Sequence, residues 1–139
     1  MLKDTLRILY ITTFYPSLDR PHHGIFFRDH AEALAKNYTI AVLNCSVISL
    51  KERKNRSQKD GSFEKNGVFT LFASNTTLSH RFKNINKQKL AEAALDGYTQ
   101  LEKTWGKPDL IIAQCSLPAG QLALRIHQPA GSPFGIIEN

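Results

Sequence analysis

Short apolar runs alternate with amphipathic stretches along this chain, and that alternation constrains its fold more than any other feature. Residues 6–13 (LRILYITT) form a nearly continuous apolar run, which is typical of a strand buried on both faces. A turn-rich stretch, residues 14–24, precedes residues 25–36 (IFFRDHAEALAK), whose apolar side chains have helical spacing. Residues 39–44 (TIAVLN) predict a second strand. The chain therefore opens with the order and length of a βαβ unit.

The same order of elements continues towards the end of the chain. Further strands are predicted at residues 67–73, 109–114 and 134–138, with helices at residues 84–105 and, after an N-cap at Ser116, around residues 119–126. Residues 51–65 interrupt the pattern because they are polar, and we expect a surface loop there. Strands that alternate with helices form a parallel sheet covered on both faces. The sequence therefore predicts an α/β fold with a doubly wound, mainly parallel, Rossmann-like sheet.

The length, composition and charge of the chain fit one globular domain. Its 139 residues are 42% apolar and 22% charged, which excludes collagen-like, low-complexity and wholly disordered classes. The 18 lysines and arginines outnumber the 12 acidic residues, and the net charge of +6 bears on partners rather than on fold. No apolar run approaches the roughly 20 residues of a membrane-spanning helix, and no signal peptide is evident, so we expect a cytoplasmic protein.

Ligands of doubly wound sheets bind at the carboxyl ends of the strands, so the loops at that edge form the candidate site. The first of these loops contains neither GxGxxG nor GxxxxGK[ST], and its one glycine, Gly24, immediately precedes the predicted helix. Ordinary dinucleotide and P-loop sites are therefore disfavoured. Two roles stay open for Gly24: it caps the helix, or it lets a phosphate or sugar approach the helix N-terminus.

Metal-binding and nucleophilic residue types do not form a recognised constellation. The adjacent histidines at positions 22–23 and His30, in the predicted helix, lack the spacing of a metal-binding pair, so we expect no metal. Cys45 and Cys115 are too few for a disulfide framework or a zinc site, and we expect ordinary, buried thiols. Ser116 follows Cys115 without a GxSxG motif, and no residue is assigned a catalytic role.

Five basic side chains lie close together in the predicted loop: Lys51, Arg53, Lys54, Arg56 and Lys59. They suit the phosphates of an anionic membrane, which would place the protein peripherally at the inner face of that membrane. The cluster has no interleaved aromatics and no helix-turn-helix or RNA-recognition pattern, so specific nucleic-acid binding is not expected. The alternative is a solvated, mobile loop without a partner.

Three segments together resemble a known family. Residues 10–36 (YITTFYPSLDRPHHGIFFRDHAEALAK), 38–44 (YTIAVLN) and 108–139 (PDLIIAQCSLPAGQLALRIHQPAGSPFGIIEN) are similar to the amino-terminal domain of glycosyltransferase family 4, retaining enzymes of the GT-B fold. The most specific features are the strand, YP turn and G-[IV]-F-x-[RK] helix start, and the PDLI strand with its Pro-Ala-Gly helix opening. The resemblance covers residues 6–139, although residues 46–104 carry little of it.

The resemblance implies transfer of a sugar from a nucleotide-diphosphate sugar to an acceptor, in a cleft between two Rossmann-like domains, with no separate cofactor and no bound metal. The amino-terminal domain would hold the acceptor, a sugar or a lipid-linked glycan, in bacterial cell-surface polysaccharide or glycolipid synthesis. The implied substrate-binding residues are Thr13 and Gly24 in the first loop, Gln114 and Ser116 after the fourth strand, and Glu138 and Asn139 at the last strand. The family often has a histidine where this chain has Gln114 and Asn139.

The donor-binding domain of that family carries two glutamates with seven residues between them, and residues 1–139 hold no such domain. We therefore expect an incomplete amino-terminal domain that is inactive alone. A following Rossmann-like domain with an E-x7-E segment would identify the class. The alternatives are a non-catalytic, flavodoxin-like interaction module and a small nucleotide-binding protein that uses the helix start at Gly24.

Overall fold

The computed structural model describes residues 5–114 and 116–137, which form one sheet with helices on both faces. The strands are β1 (Arg7–Thr12), β2 (Thr39–Ser49), β3 (Gly61–Lys65), β4 (Val68–Thr77), β5 (Leu110–Gln114) and β6 (Phe134–Ile137). The helices are α1 (Ile25–Leu34), α2 (Leu50–Asn55), α3 (Lys83–Thr104) and α4 (Gln121–Ala130), and a π-helical turn at Ser116–Gly120 precedes α4.

The order of strands in the sheet is β3-β4-β2-β1-β5-β6. All neighbours are parallel except β3, which runs antiparallel to β4 at one edge. From β1 in the middle, the chain builds outwards to the β3–β4 hairpin and then crosses to β5 and β6 on the other side. That reversal is the topological switch point of a doubly wound sheet. The predicted α/β, mainly parallel, Rossmann-like fold is confirmed.

Alternate residues of the central strands pack into two apolar layers. Leu9 of β1 faces one layer, which contains Leu101 of α3 and Ile126 of α4. Tyr10 faces the other layer, which contains Ala31 of α1. Because β1 is covered on both faces, it has no solvent side, and this explains why it is apolar at nearly every position.

Residues 51–65 do not form the surface loop that their polar composition predicts. The Ser49 hydroxyl accepts the N–H of Glu52 at 3.2 Å, and the Glu52 carboxylate accepts the N–H of Ser49 at 3.1 Å, so a capping box starts α2. A turn at Asn66 and Gly67, both with positive φ, joins β3 to β4. Asn-Gly is the preferred pair in such a hairpin turn. The loop prediction is wrong, because the capping box and the Asn-Gly turn determine the local structure here and the polar composition does not.

Strands β2 and β4 are longer than their apolar patterns predict. The predicted strands end at Asn44 and Ala73, whereas the two strands stay paired as far as Ser49 and Thr77. The last residue of β1 lies opposite Asn44, so the ends of β2 and β4 project beyond the central strand. We call this projecting part, residues 45–49 and 73–77, the β2–β4 ribbon. Its polar and half-exposed residues lack the continuous apolar signal of a buried strand.

The segment after β5 is helical, as predicted, but its geometry differs. Ser116 begins a π-helical turn instead of capping an α-helix, and Gly120 is the N-cap of α4. The predicted last strand is present as far as Ile137, and Glu138 lies outside the described residues. Within residues 5–114 and 116–137, no helix has both the length and the apolar character needed to cross a membrane.

We predict that Ser49→Ala lowers the free energy of unfolding by about 1 kcal/mol, because the N–H of Glu52 loses its capping partner. Urea unfolding followed by circular dichroism measures the change. Ser62→Ala serves as the control, since Ser62 is exposed on β3 and its loss should stay within about 0.5 kcal/mol. Equal losses in the two variants would contradict the capping role.

Candidate functional site

Polar side chains lie side by side where the three central strands end. Thr12 of β1 is in register with Asn44 of β2. Gln114 of β5 follows Ala113, which is the partner of Ile11. Because side chains alternate along a strand, the three polar residues point to the α1 face of the sheet. They form a polar row at the switch point, where doubly wound sheets bind ligands.

The amide oxygens of Asn44 and Gln114 are buried and have no hydrogen-bond partner among the described residues. Gln114 is only 6% exposed. A buried acceptor without a partner costs about 1–3 kcal/mol, and native structures contain few of them. Thr12 differs, because its hydroxyl accepts the N–H of Phe14 at 2.9 Å. The two free acceptors make this edge the part of the sheet best suited to a hydrogen-bonding ligand.

The β2–β4 ribbon separates two cavities at this edge. The first-loop cavity has a volume of about 350 Å³ and lies between the first loop, the ribbon and α2. The helix cavity has a volume of about 420 Å³ and lies between the ribbon, the start of α3 and Pro118. Thr13, Ser46 and Val47 line both cavities. Of the predicted site residues, Thr13 is thus the one that lies at the boundary between them.

The first-loop cavity combines amide, carboxylate and guanidinium groups. Asn44 lines it together with Asp19 and Arg20 of the loop. The Asp19 carboxylate accepts the N–H of Gln58 at 2.9 Å and that of Ser57 at 2.7 Å. These two backbone hydrogen bonds hold the pKa of Asp19 below its ordinary value. They also tie the first loop to the segment after α2, so the cavity wall is fixed on both sides.

Gly24 lies where the first loop meets the start of α1, and the backbone of Phe14 packs closely against it. Its backbone is left-handed, with φ of 75°, and it is the N-cap of the helix. A Cβ atom at this position would lie 2.3 Å from the carbonyl oxygen of Phe14, which no side chain tolerates. The capping role of Gly24 is therefore confirmed. Gly24 does not line either cavity, but it directs the N-terminus of α1 to the carboxyl edge of the sheet.

The helix cavity is lined by cationic and apolar groups. Lys83 and Lys87 lie one turn apart on α3 and both line it, as do His80 and Cys45. Cys45 is fully buried, and burial raises the pKa of its thiol to about 12. The thiol therefore stays protonated and is no nucleophile. The expectation of an ordinary buried thiol is confirmed for Cys45, whereas Cys115 lies outside the described residues.

Of the other residues implied by the family resemblance, the structure describes some and not others. Gln114 lies in the polar row at the switch point. Ser116 is the first residue of the π-helical turn, and its side chain is outside the described part of the structure. Glu138 and Asn139 also lie outside it. Their implied roles in substrate binding stay predictions.

The histidines near the first loop pack against aromatic rings. The ring of His23 lies on that of Phe14, with 3.6 Å between centroids, and burial lowers the pKa of His23. His30 meets Tyr10 edge-on at 5.9 Å. In residues 5–114 and 116–137, no three histidine, cysteine or acidic side chains are grouped so that they could hold a metal.

The predicted basic cluster is divided by the structure. Arg53 Nε donates to the Thr76 hydroxyl at 2.7 Å and its Nη2 donates to Ser74 at 3.0 Å. Arg56 pairs with Asp60 at 2.6 Å. Both guanidinium groups thus stabilise the ribbon and its surroundings. The exposed members of the cluster are Lys51, Lys54 and Lys59, and contact of the cluster with an anionic membrane stays a prediction.

The cavity residues that were not predicted from the sequence include Asp19, Asn44, Lys83 and Lys87. Asn44 is a polar residue at the end of a buried apolar run, and that position could have identified it as a site residue. The i,i+4 spacing of the two lysines is a weaker one. Asp19 has no local signal, because its hydrogen-bond partners lie 38 and 39 residues further along the chain.

We predict that Gly24→Ala destabilises the protein by roughly 2 kcal/mol or more, since the left-handed backbone and the Phe14 carbonyl both oppose a Cβ atom. Thermal and urea unfolding measure the loss. The matched control is Gly135→Ala in β6, where an added Cβ meets no atom within 4 Å. A stability loss that is no larger for Gly24→Ala than for the control would be incompatible with the close approach.

Acid should loosen the tie between the first loop and the segment after α2. The folded-state pKa of Asp19 is lowered, so its contribution is present above the unfolded-state pKa and is lost as pH falls through the folded-state value. We predict that the amides of Ser57 and Gln58 lose hydrogen-exchange protection only at pH values below the ordinary pKa of an aspartate, where the folded-state carboxyl takes up its proton.

Asp19→Asn should show the same loss at neutral pH, because a neutral amide is a weaker acceptor than a carboxylate. Asp96→Asn, on the exposed side of α3, is the control and should leave the protection of Ser57 and Gln58 unchanged. Full protection of both amides in Asp19→Asn would show that the carboxylate does not hold the loop.

Comparisons with known proteins support the fold and do not assign a family. Neither a protein-family model nor a curated protein matches the sequence. Among solved structures, the chain is similar to the C-terminal domain of a hydrogenase from Pyrococcus furiosus, with a TM-score of 0.56 and 10% sequence identity. The similarity covers 98% of this chain and 93% of that one. At this identity, it supports the α/β architecture and carries no argument about activity, cofactor or substrate.

Proposed function

We propose that this chain is the acceptor-side domain of a retaining, nucleotide-sugar-dependent glycosyltransferase of the family 4 type. It would act on the cytoplasmic side, in synthesis of a bacterial surface polysaccharide or glycolipid. The observation that carries the proposal is the buried amide oxygen of Asn44, which lies in the wall of the first-loop cavity and has no hydrogen-bond partner in the described part of the chain. The sequence resemblance supplies the reaction class.

The first-loop cavity has the chemistry of a sugar site. A sugar presents several hydroxyls that both donate and accept hydrogen bonds, so it needs acceptors and donors in one place. Asn44 and Asp19 supply acceptors, and Arg20 supplies donors, all within the lining of about 350 Å³. Buried Tyr15 and Phe72 add apolar surface, with 6.4 Å between their ring centroids. Apolar walls with a few placed polar groups are typical of small-ligand sites.

The start of α1 suits the donor's phosphates. Helix N-termini carry partial positive charge and stabilise phosphate groups. Gly24 places this N-terminus at the carboxyl edge, next to the loop that contains Thr13. In the proposal, the first loop and α1 approach the diphosphate, whereas the nucleoside is held by a second Rossmann-like domain, as the resemblance implies.

The proposed reaction joins an acceptor hydroxyl to the anomeric carbon of the donor sugar. The bond between that carbon and the phosphate oxygen breaks, and the nucleoside diphosphate leaves. The acceptor hydroxyl gives its proton to the departing nucleoside diphosphate as the new glycosidic bond forms. The described residues bind and orient the acceptor, and none of them is assigned as the proton acceptor or as a nucleophile.

We predict that simple glycosides bind to this chain and shift the amide resonances of Thr13, Asn44 and Ser46. Titration of the nitrogen-15-labelled protein with alkyl glycosides measures the binding. Asn44→Leu should weaken it about 3- to 10-fold, since one hydrogen bond of ordinary strength is lost. The control is Asn84→Leu, because Asn84 is exposed on the first turn of α3.

Nucleotide sugars serve as the second ligand class in the same titration. UDP-glucose and GDP-mannose should bind weakly, because the proposal assigns the nucleoside to another domain. Tight nucleotide binding that is insensitive to Asn44→Leu would favour a small nucleotide-binding protein instead. A lack of any glycoside shift at the carboxyl edge would favour a non-catalytic interaction module.

A further inference from the structure

Two strongly exposed leucines lie together at the tip of the β2–β4 ribbon. Ser49 and Thr77 are paired in register, so Leu50 and Leu78, the residues that follow them, leave the ribbon side by side. Leu78 is 83% exposed and Leu50 is 60% exposed. Both line one open surface hollow of about 790 Å³. Such clustered apolar exposure is a feature of interaction sites, whereas single exposed leucines are common and need no explanation.

The apolar exposure continues from this hollow into the start of α3. Phe82, the N-cap of the helix, is 49% exposed, and Ile85 in the first turn is 53% exposed. Phe82 contributes no side-chain cap, although helix starts usually have a polar one. Local departures from such rules tend to occur at functional sites. We call Leu50, Leu78, Phe82 and Ile85, with the cations around them, the ribbon-tip patch.

The charged side chains that line the hollow are basic. Lys51, Arg81 and Lys83 line the hollow together with the two leucines. Residues 78–91, from the tip of the ribbon into α3, contain four lysines and arginines and no aspartate or glutamate. The acidic group nearest to the hollow in sequence, Glu52, is already engaged with His80 at 2.5 Å. The patch therefore presents apolar side chains within a ring of cations.

The loop that carries Leu78 is held in place by hydrogen bonds. The Thr77 hydroxyl bonds to the Asn86 amide oxygen at 2.5 Å, and Asn86 Nδ2 donates to the Ser79 carbonyl at 3.0 Å. The contact between His80 and Glu52 fixes the loop to α2. The outward position of Leu78 is thus built into the fold by three anchored polar groups.

From this arrangement we infer that the ribbon-tip patch docks the protein on an anionic phospholipid membrane. Lys51, Arg81 and Lys83 contact lipid phosphates, while Leu50, Leu78 and Phe82 enter the boundary between headgroups and acyl chains. Interfacial binding of this kind combines buried apolar area with attraction to anionic lipids. The inference does not rest on the proposed function, because it needs no sugar or nucleotide.

A membrane fits the patch better than other partners. Nucleic acid is bound through cationic grooves and stacked aromatic rings, whereas the apolar members here are mostly aliphatic and stand out from the surface. A protein partner binds through a surface of complementary shape, and an open hollow offers few walls against which such a surface could pack. A fluid, anionic bilayer requires only protruding apolar groups and surrounding cations.

The patch is continuous with the candidate site. His80 and Lys83 line both the open hollow and the helix cavity at the carboxyl edge. A protein docked through the ribbon tip would therefore hold its helix cavity next to the membrane surface. This location differs from the five-residue basic cluster predicted from sequence, and Lys51 is the one member that the two share.

Sedimentation of the protein with vesicles tests the inference. We expect binding to vesicles that contain phosphatidylglycerol, little binding to pure phosphatidylcholine, and weaker binding at high salt. Arg81→Glu should weaken binding at least about 5-fold, since each cation near an anionic surface contributes measurably. Leu78→Glu should weaken it about 10-fold or more, because an apolar contact becomes a repelled anion. Circular dichroism checks that each variant is folded.

Matched controls come from α4, where Leu124 is 53% exposed and Arg125 is also on the surface. Leu124→Glu and Arg125→Glu make the same chemical changes outside the patch and should change binding less than 2-fold. Equal binding to neutral and anionic vesicles, or equal losses in patch and control variants, would overturn the inference. So would a dimer in solution that Leu78→Glu dissociates without any vesicle binding.

Discussion

The parallel pairing between β2 and β4 continues five residues past the end of β1, and most features of functional interest depend on it. Backbone hydrogen bonds to a single neighbour hold each projecting strand, so side-chain contacts must supply the remaining support. Arg53 provides part of that support through its bonds to Ser74 and Thr76. The ribbon then forms the wall between two cavities and carries the exposed leucines at its tip.

The polar row at the switch point lowers the stability of the sheet in exchange for groups that can bind a ligand. Apolar residues at the ends of β2 and β5 would be more stable there, because Asn44 and Gln114 leave buried acceptors without partners among the described residues. The burial of the two apolar layers on either side of the sheet offsets this loss of stability. A rigid scaffold of this kind suits recognition of a small polar molecule, because the acceptors are already in place before binding.

The fold was predictable because its signals are local and repeated. Buried strands such as β1 are apolar at successive positions, and the helix between β1 and β2 has a clear apolar stripe. The ribbon was not predictable in the same way. Its half-exposed positions are occupied by polar residues such as Ser46 and Thr76, which do not produce the apolar pattern of a buried strand. The site was only partly predictable, since the bond between Asp19 and Ser57 joins distant segments. Gly24 was identified from sequence, and the reason for its capping role needed the position of Phe14, whereas the approach of a phosphate to the helix start stays a proposal.

Cys45 gives the ribbon a built-in reporter. Its thiol is completely buried where β2 extends beyond the central strand, and its high pKa keeps it unreactive while the ribbon is packed against α3. Labelling by a thiol reagent therefore requires the ribbon to separate from α3, so the labelling rate would follow that local opening equilibrium. A ligand that bridges the ribbon and α3 would slow the reaction without touching the sulfur. The same residue that is excluded as a nucleophile can thus be used to follow occupation of the neighbouring cavity.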